Sequence, residues 1–167
     1  MEKQTLKVAA AQIGTDGDVE AAKELICESI REAHERDCEL ILFHEGCLTG
    51  YRNEPELKAV DWDAVERAER QVQQLAGELG IAVLLGSASR RDGQIYNDVL
   101  IIDETGRRLG RYAKTWGAGE PWYTNGAGPV LFTVAGVDAT VAICHDLRYP
   151  ELVRLPVICG ARLICLS

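Results

Sequence analysis

Short apolar segments alternate with amphipathic ones along the first half of the chain, and this alternation constrains the fold more than any other feature. Leu6 to Ile13 (LKVAAAQI), Cys38 to Phe43 (CELILF) and Ile81 to Ala88 are apolar without a strict period of two. Such runs suit strands buried on both faces. Between the first two, Val19, Ala22, Ile26, Ile30 and Ala33 recur at helical spacing behind Asp18, a capping residue. Between the second and third, Val65, Ala68, Val72, Leu75 and Leu79 form another stripe. Asp63 with Glu66 three residues on resembles a capping box there, and Gly80 ends the helix. Strand–helix–strand–helix–strand predicts an α/β layered domain with helices outside a sheet.

The second half changes character. Ile95 to Asp103 reads as a strand, Glu104-Thr105-Gly106 as a turn and Arg107 to Ala113 as the return strand. Residues 115 to 129 (TWGAGEPWYTNGAGP) form a loop rich in glycine and proline. Val130 to Val134 and Val137 to Ile143 predict a hairpin around Ala135-Gly136. Pro150 and Glu151 suit the first turn of a further helix, and Arg162 to Leu166 is one more apolar strand. Pro156 inside that helix costs about 3 kcal/mol unless a kink absorbs it.

Composition narrows the function. The 167 residues carry 18 Lys and Arg against 26 Asp and Glu, a formal charge of −8. A nucleic-acid binder usually shows a basic face, so that class is disfavoured. No apolar run has the length of a membrane span, and the first residues do not read as a signal peptide. The six cysteines lie mostly in apolar or helical stretches, not in a dense disulfide framework. They read as reduced thiols of a cytoplasmic protein, each a small buried hydrophobe by default.

Three stretches can carry chemistry. In FHEGCLTGY, residues 43–51, Glu45 sits at the C-terminal end of a strand, where sites collect in α/β sheets. A carboxylate backed by apolar neighbours there can serve as general base. In RYAKTW, residues 111–116, Lys114 closes a strand and can stabilise an oxyanion. In VAICHDLRYPEL, residues 141–152, Cys144 lies between an apolar strand and a helix, the setting of a nucleophile elbow. A free thiol of pKa near ~8.5 needs a base or a cation to react, and Glu45 and Lys114 are candidates. The adjacent Cys144-His145-Asp146 do not form a triad, because neighbouring residues on an elbow diverge. His145 is read as a backbone N–H donor. A metal set of His44, Cys47, Cys144 and His145 has no Cys-x-x-Cys pair and matches no zinc spacing, so a metal site is disfavoured.

Taken together, these stretches resemble the nitrilase superfamily of carbon–nitrogen hydrolases. The order Glu45, Lys114, Cys144 and their surroundings carry the resemblance, with Tyr96-Asn97, Asp103 to Gly106 and Glu120 in GEPWYTNG. The resemblance implies a four-layer αββα sandwich and a Cys–Glu–Lys site without cofactor. It implies hydrolysis of a small amide (amidase or N-carbamoyl hydrolase type) through a thioester at Cys144. Glu45 would be the base, Lys114 and the His145 N–H the oxyanion donors, and Glu120 a positioning and substrate-binding residue. It further implies a homodimer or higher oligomer, with no nucleic-acid or membrane partner. Asp146 and Arg148 are read as a bidentate pair that locks the elbow.

Three features depart from the family pattern. His145 stands where an aromatic residue is usual. Thr115-Trp116 follow Lys114, where His-Leu is common. The family fold also continues well past Ser167. Residues 1–167 therefore read as the N-terminal portion of a single carbon–nitrogen hydrolase domain. The missing part is unrecorded, supplied by another chain, or absent from a short, inactive member acting as an interaction or scaffold protein.

Overall fold

The computed structural model describes residues 5–167. It contains two sheets packed face to face. The first has five strands in the order β1 (Val8–Ala11), β2 (Leu40–Phe43), β3 (Ala82–Arg91), β4 (Gln94–Ile102), β5 (Arg108–Ala113). β1, β2 and β3 are parallel, and β4 and β5 continue antiparallel. The second sheet has three strands, β6 (Phe132–Val134), β7 (Val137–Ala142) and β8 (Leu163–Leu166), with β6 antiparallel and β8 parallel to β7.

Side-chain alternation along the strands makes the layers. Ile41, Phe43, Val83, Leu85, Leu100 and Ile102 point to one face of the first sheet. They pack under α1 (Val19–Glu35) and α3 (Trp62–Leu79). Their sequence neighbours Leu40, Leu84, Val99 and Ile101 point the other way, onto Val134, Ala139 and Val141 of the second sheet. A final helix, α4 (Pro150–Ile158), packs on β7. The result is the expected α-β-β-α sandwich.

Most local readings match. Asp18 caps α1 by accepting from the backbone N–H groups of Glu20 and Ala21, and Ala22, Ile26, Ile30 and Ala33 are its buried face. Gly80 ends α3 in the left-handed conformation, φ 68°. The hairpin turns at Ala135-Gly136, with both residues at positive φ.

Other readings need correction. The cap of α3 is Asp61, whose side chain accepts from the N–H groups of Asp63 and Ala64, and Asp63 lies in the first turn. β1 is shorter than Leu6 to Ile13 and is not buried on both faces: it forms the edge of its sheet, and Val8 is 49% exposed. A short helix, α2 (Glu54–Lys58), was not read from the sequence, although Asn53 and Glu56 form a capping box for it. α4 runs through Pro156, which is buried. The turns after the proline stay closed, with Cys159 N–H donating to the Leu155 carbonyl at 3.0 Å and Ala161 N–H to that of Pro156 at 2.9 Å.

Between α3 and the far strands lies a buried ion network. Arg111 bonds both Glu69 of α3 and Asp98 of β4, and Arg108 adds a bond to Glu69 at 3.3 Å. Burial pushes the Asp98 carboxyl up, and the Arg111 charge opposes it.

One close approach fixes the chain leaving β2. A Cβ on Gly86 of β3 would sit 1.9 Å from the His44 carbonyl oxygen. The bare backbone lets the turn after Phe43 lie against β3, where Leu48 N–H donates to the Gly86 carbonyl at 3.0 Å. Gly86→Ala forces that turn outward. It is expected to cost about 2 kcal/mol or more, which lowers the thermal midpoint by roughly 5 °C for a domain of this size. An unchanged midpoint by calorimetry contradicts this packing.

Candidate active site

Three strands of the two sheets end toward one edge of the sandwich, and each is followed within two residues by one of the expected site residues. β2 ends at Phe43 and delivers Glu45. β5 ends at Ala113 and delivers Lys114. β7 ends at Ala142 and delivers Cys144, the first residue of a single 3-10 turn (Cys144–Arg148) that leads into α4.

The Lys114 ammonium is 5% exposed and lies 2.7 Å from Glu45 Oε1 and 3.5 Å from Glu120 Oε1. Two carboxylates compensate its burial. The Tyr51 ring lies 5.7 Å from the ammonium. Glu120 Oε2 accepts from the Ala118 backbone N–H, which fixes the loop carrying it.

Cys144 is exposed and has a φ of 41°, a left-handed conformation rare for a residue with a Cβ. Strain of this kind collects at functional positions when the surroundings hold it. Here Cys144 N–H donates to the Ser167 carbonyl at 2.9 Å, while the Ser167 hydroxyl bonds the Phe43 carbonyl on the other sheet.

The thiol faces both charged partners. Partial burial pushes its pKa up. The Glu45 charge and hydrogen bond push it further, while Lys114 and the His145 backbone N–H pull it down. The thiol therefore rests protonated, with an acceptor for its proton already in contact. Cys47 and Cys165 differ: burial in apolar packing alone pushes them up to about 12 and about 11.

Asp146 is the clasp between the sheets. It is fully buried. Its Oδ1 accepts from the N–H groups of Trp116 at 2.8 Å and Thr115 at 3.2 Å, just past Lys114. Its Oδ2 accepts from the Tyr112 hydroxyl at 2.8 Å and from Ile143 N–H at 3.2 Å, just before Cys144. This corrects the expected Asp146–Arg148 pair, because Arg148 is exposed and the carboxylate's partners lie on β5 and its loop.

The remaining expected residues fall as follows. The His145 ring stands edge-on to Tyr149 at 5.8 Å, and Tyr149 stacks on Trp116 at 5.1 Å, so this ring packs while its backbone faces the thiol. The His44 ring nitrogens lie 3.0 Å and 2.9 Å from the carbonyl oxygens of Glu45 and Ile13. Among the described residues, no group of three or more His, Cys, Asp or Glu is placed to hold a metal ion.

One residue at the site enters the sequence reading only as part of the family resemblance and is given no role there. Asn97 of β4 is 3% exposed, and its Nδ2 donates to Glu45 Oε1 at 2.7 Å. The available signal was an amide beside Asp98 in a strand that is apolar from Val99 onward.

The arrangement defines a class: an α-β-β-α sandwich presenting a cysteine on an elbow, with a carboxylate and an ammonium converging on it. The carbon-nitrogen hydrolase family model matches residues 7–167, and the chain belongs to that family. It is 32% identical over 135 residues to a protein described as a hydrolase in the agr operon of Staphylococcus lugdunensis, a match covering 77% of this chain and 57% of the relative. It is 28% identical over 177 residues to N-carbamoylputrescine amidase of Arabidopsis thaliana, covering 97% of this chain and 58% of that protein. Among solved structures, an amidase from Nesterenkonia sp. superposes with a TM-score of 0.86 at 23% identity, covering 96% of this chain and 64% of the other. In a structure of a mutant of the amidase from Nesterenkonia sp. AN1, acrylamide has added to the active site cysteine (TM-score 0.86, 22% identity). The chain thus spans somewhat over half the length of these curated relatives.

The clasp makes a prediction. Asp146→Ala strands four donors, three from β5 and the loop after it and one from the residue before Cys144. It is expected to cost about 3–5 kcal/mol in denaturant unfolding. A loss under 1 kcal/mol means that the carboxylate does not hold the elbow.

Proposed function

We propose that the protein is an amidase-like carbon–nitrogen hydrolase, with Cys144 as nucleophile, Glu45 as general base and Lys114 as oxyanion donor. The observation that carries this is the convergence of the Lys114 ammonium and the Glu45 carboxylate, 2.7 Å apart, on a thiol at a strained elbow. The substrate is a small amide or N-carbamoyl compound, a class supported by relatives named as amidases.

The steps balance as follows. The Cys144 thiol gives its proton to Glu45 as the sulfur bonds to the carbonyl carbon. The carbonyl oxygen takes the electron pair as an oxyanion, facing Lys114 and the His145 N–H. Such donors contribute about 3–4 kcal/mol to the transition state. Glu45 then passes the proton to the leaving nitrogen, the C–N bond breaks, and a thioester remains. Glu45 next takes a proton from water, the hydroxide adds to the thioester, and the thiolate leaves and regains its proton. Glu120 keeps Lys114 oriented, and its remaining hydrogen-bonding capacity serves substrate binding.

The matched region reads as part of one carbon–nitrogen hydrolase domain. A reducing, cytoplasmic setting fits the six free cysteines, and no helix among the described residues is long and apolar enough to cross a membrane. A homodimer across α4 is supported by the exposed Leu155, Val157 and Ile158 with Leu147 beside them. Light scattering is expected to read two copies per particle; one copy removes the dimer. These apolar residues also favour a second reading, an interaction protein of the same fold without turnover.

Ammonia release from a panel of short aliphatic and N-carbamoyl amides separates the two. Turnover is expected with at least one substrate, falling at least 10³-fold in Cys144→Ala and in Glu45→Gln. Turnover that survives Cys144→Ala overturns the mechanism. None across the panel leaves the interaction reading.

A further inference from the structure

Asn97 is the one buried side chain among the described residues with a polar atom lacking a partner, its Oδ1. Its other amide atom, Nδ2, lies 2.7 Å from Glu45 Oε1. The opposite amide orientation would set Oδ1 against a carboxylate oxygen, lone pair against lone pair, so the donor faces Glu45. A buried amide that leaves its acceptor unpaired is costly, and such a cost needs a reason at this position.

The topology supplies one. Asn97, Val99 and Ile101 share the face of β4 that looks toward the second sheet. Lys114 N–H donates to the Asn97 carbonyl at 2.8 Å, so the two residues are cross-strand neighbours that extend the β4–β5 ladder. Their side chains donate to the same atom, Glu45 Oε1, each at 2.7 Å. Oε1 thus takes both nitrogen donors, and no nitrogen donor among the described residues is found on Oε2.

We infer that Asn97 is a positioning residue for the general base: with Lys114 it saturates Glu45 Oε1 and leaves Oε2 as the oxygen that exchanges a proton with Cys144. This rests on the reading of Glu45 as the thiol's proton acceptor. A donor on the charged carboxylate stabilises that charge, so Asn97 also tempers the carboxylate's hold on the proton. Without it, the pair Cys144-thiolate with protonated Glu45 gains population at the expense of thiol with carboxylate. Asn97 therefore keeps the resting site in the thiol form and lets Glu45 release the proton to the leaving nitrogen.

The test is alkylation of Cys144 by iodoacetamide, followed by peptide mass between pH 5.5 and 9.5, with exposed Cys159 as internal control. It needs no turnover. The full chain is compared as wild type, Asn97→Ala, Glu45→Gln and the double variant. Asn97→Ser, whose hydroxyl is too short to reach Glu45, is a second replacement, and unfolding midpoints verify the fold. Asn97→Ala or Asn97→Ser is expected to speed alkylation at pH 7 about three- to tenfold and to flatten its pH dependence, with Cys159 unchanged. In the Glu45→Gln background the same replacement is expected to change the rate by less than about 1.5-fold.

An equal acceleration with and without Glu45, or none in a folded variant, overturns the inference. If neither replacement folds, Asn97 is a structural residue and the inference is likewise overturned. A wild type that turns over no amide, yet shows this coupling, defeats the amidase reading and leaves Asn97's role standing.

Discussion

A single buried carboxylate joins the two halves of the site. Asp146 takes two hydrogen bonds from the loop after Lys114, one from the hydroxyl of Tyr112 on β5, and one from the residue before Cys144. Without this link, the cysteine and the lysine belong to different sheets joined by the Ser167 hydroxyl on the Phe43 carbonyl and mainly by apolar packing, which resists sliding through side-chain shape. Hydrogen bonds to a charged acceptor are directional and roughly twice as strong as neutral ones. The left-handed conformation of Cys144 costs of order 1–3 kcal/mol, and the bonds from Ile143 and Cys144 to fixed acceptors hold it there.

The same logic of compensated burial governs the charges. Lys114 is sealed from water, and Glu45 and Glu120 stand beside it as counter-charges. The Glu45–Lys114–Glu120 cluster carries one net negative charge. A thiolate there would add a second, which is why the thiol is held up although an ammonium is near. Without Glu45 the Lys114 ammonium would lose its nearer carboxylate and keep only Glu120, 3.5 Å away. Each partner makes the other's position tolerable.

The layer order was legible because helical stripes and apolar runs have different periods. Ala22, Ile26 and Ile30 can share only one face of a helix, and that face must meet a sheet. The exposed edge at Val8 was not legible, because edge position comes from strand order and not from the strand's own residues. α2 escaped because five residues cannot display a period. The cap of α3 was misplaced between two aspartates two positions apart, and only backbone geometry separates them. The positions of Glu45, Lys114 and Cys144 followed from strand ends and from the family resemblance. The partners of Asp146 did not: Tyr112 and the 115–116 backbone reach it from the other sheet, and Arg148 was merely its neighbour in sequence. The role of Asn97 escaped for a related reason, since its significance lies in a neighbour 52 positions away.

Convergence of Glu45 on the Cys144 thiol is most directly tested by the pH at which that thiol becomes reactive toward a neutral alkylating agent, compared between the protein and its Glu45→Gln variant. The negative charge and hydrogen bond of Glu45 raise the thiol's pKa, so their removal is expected to move the half-point of alkylation to lower pH. A half-point that stays in place, in a variant with unchanged unfolding, means that the carboxylate and the sulfur do not meet.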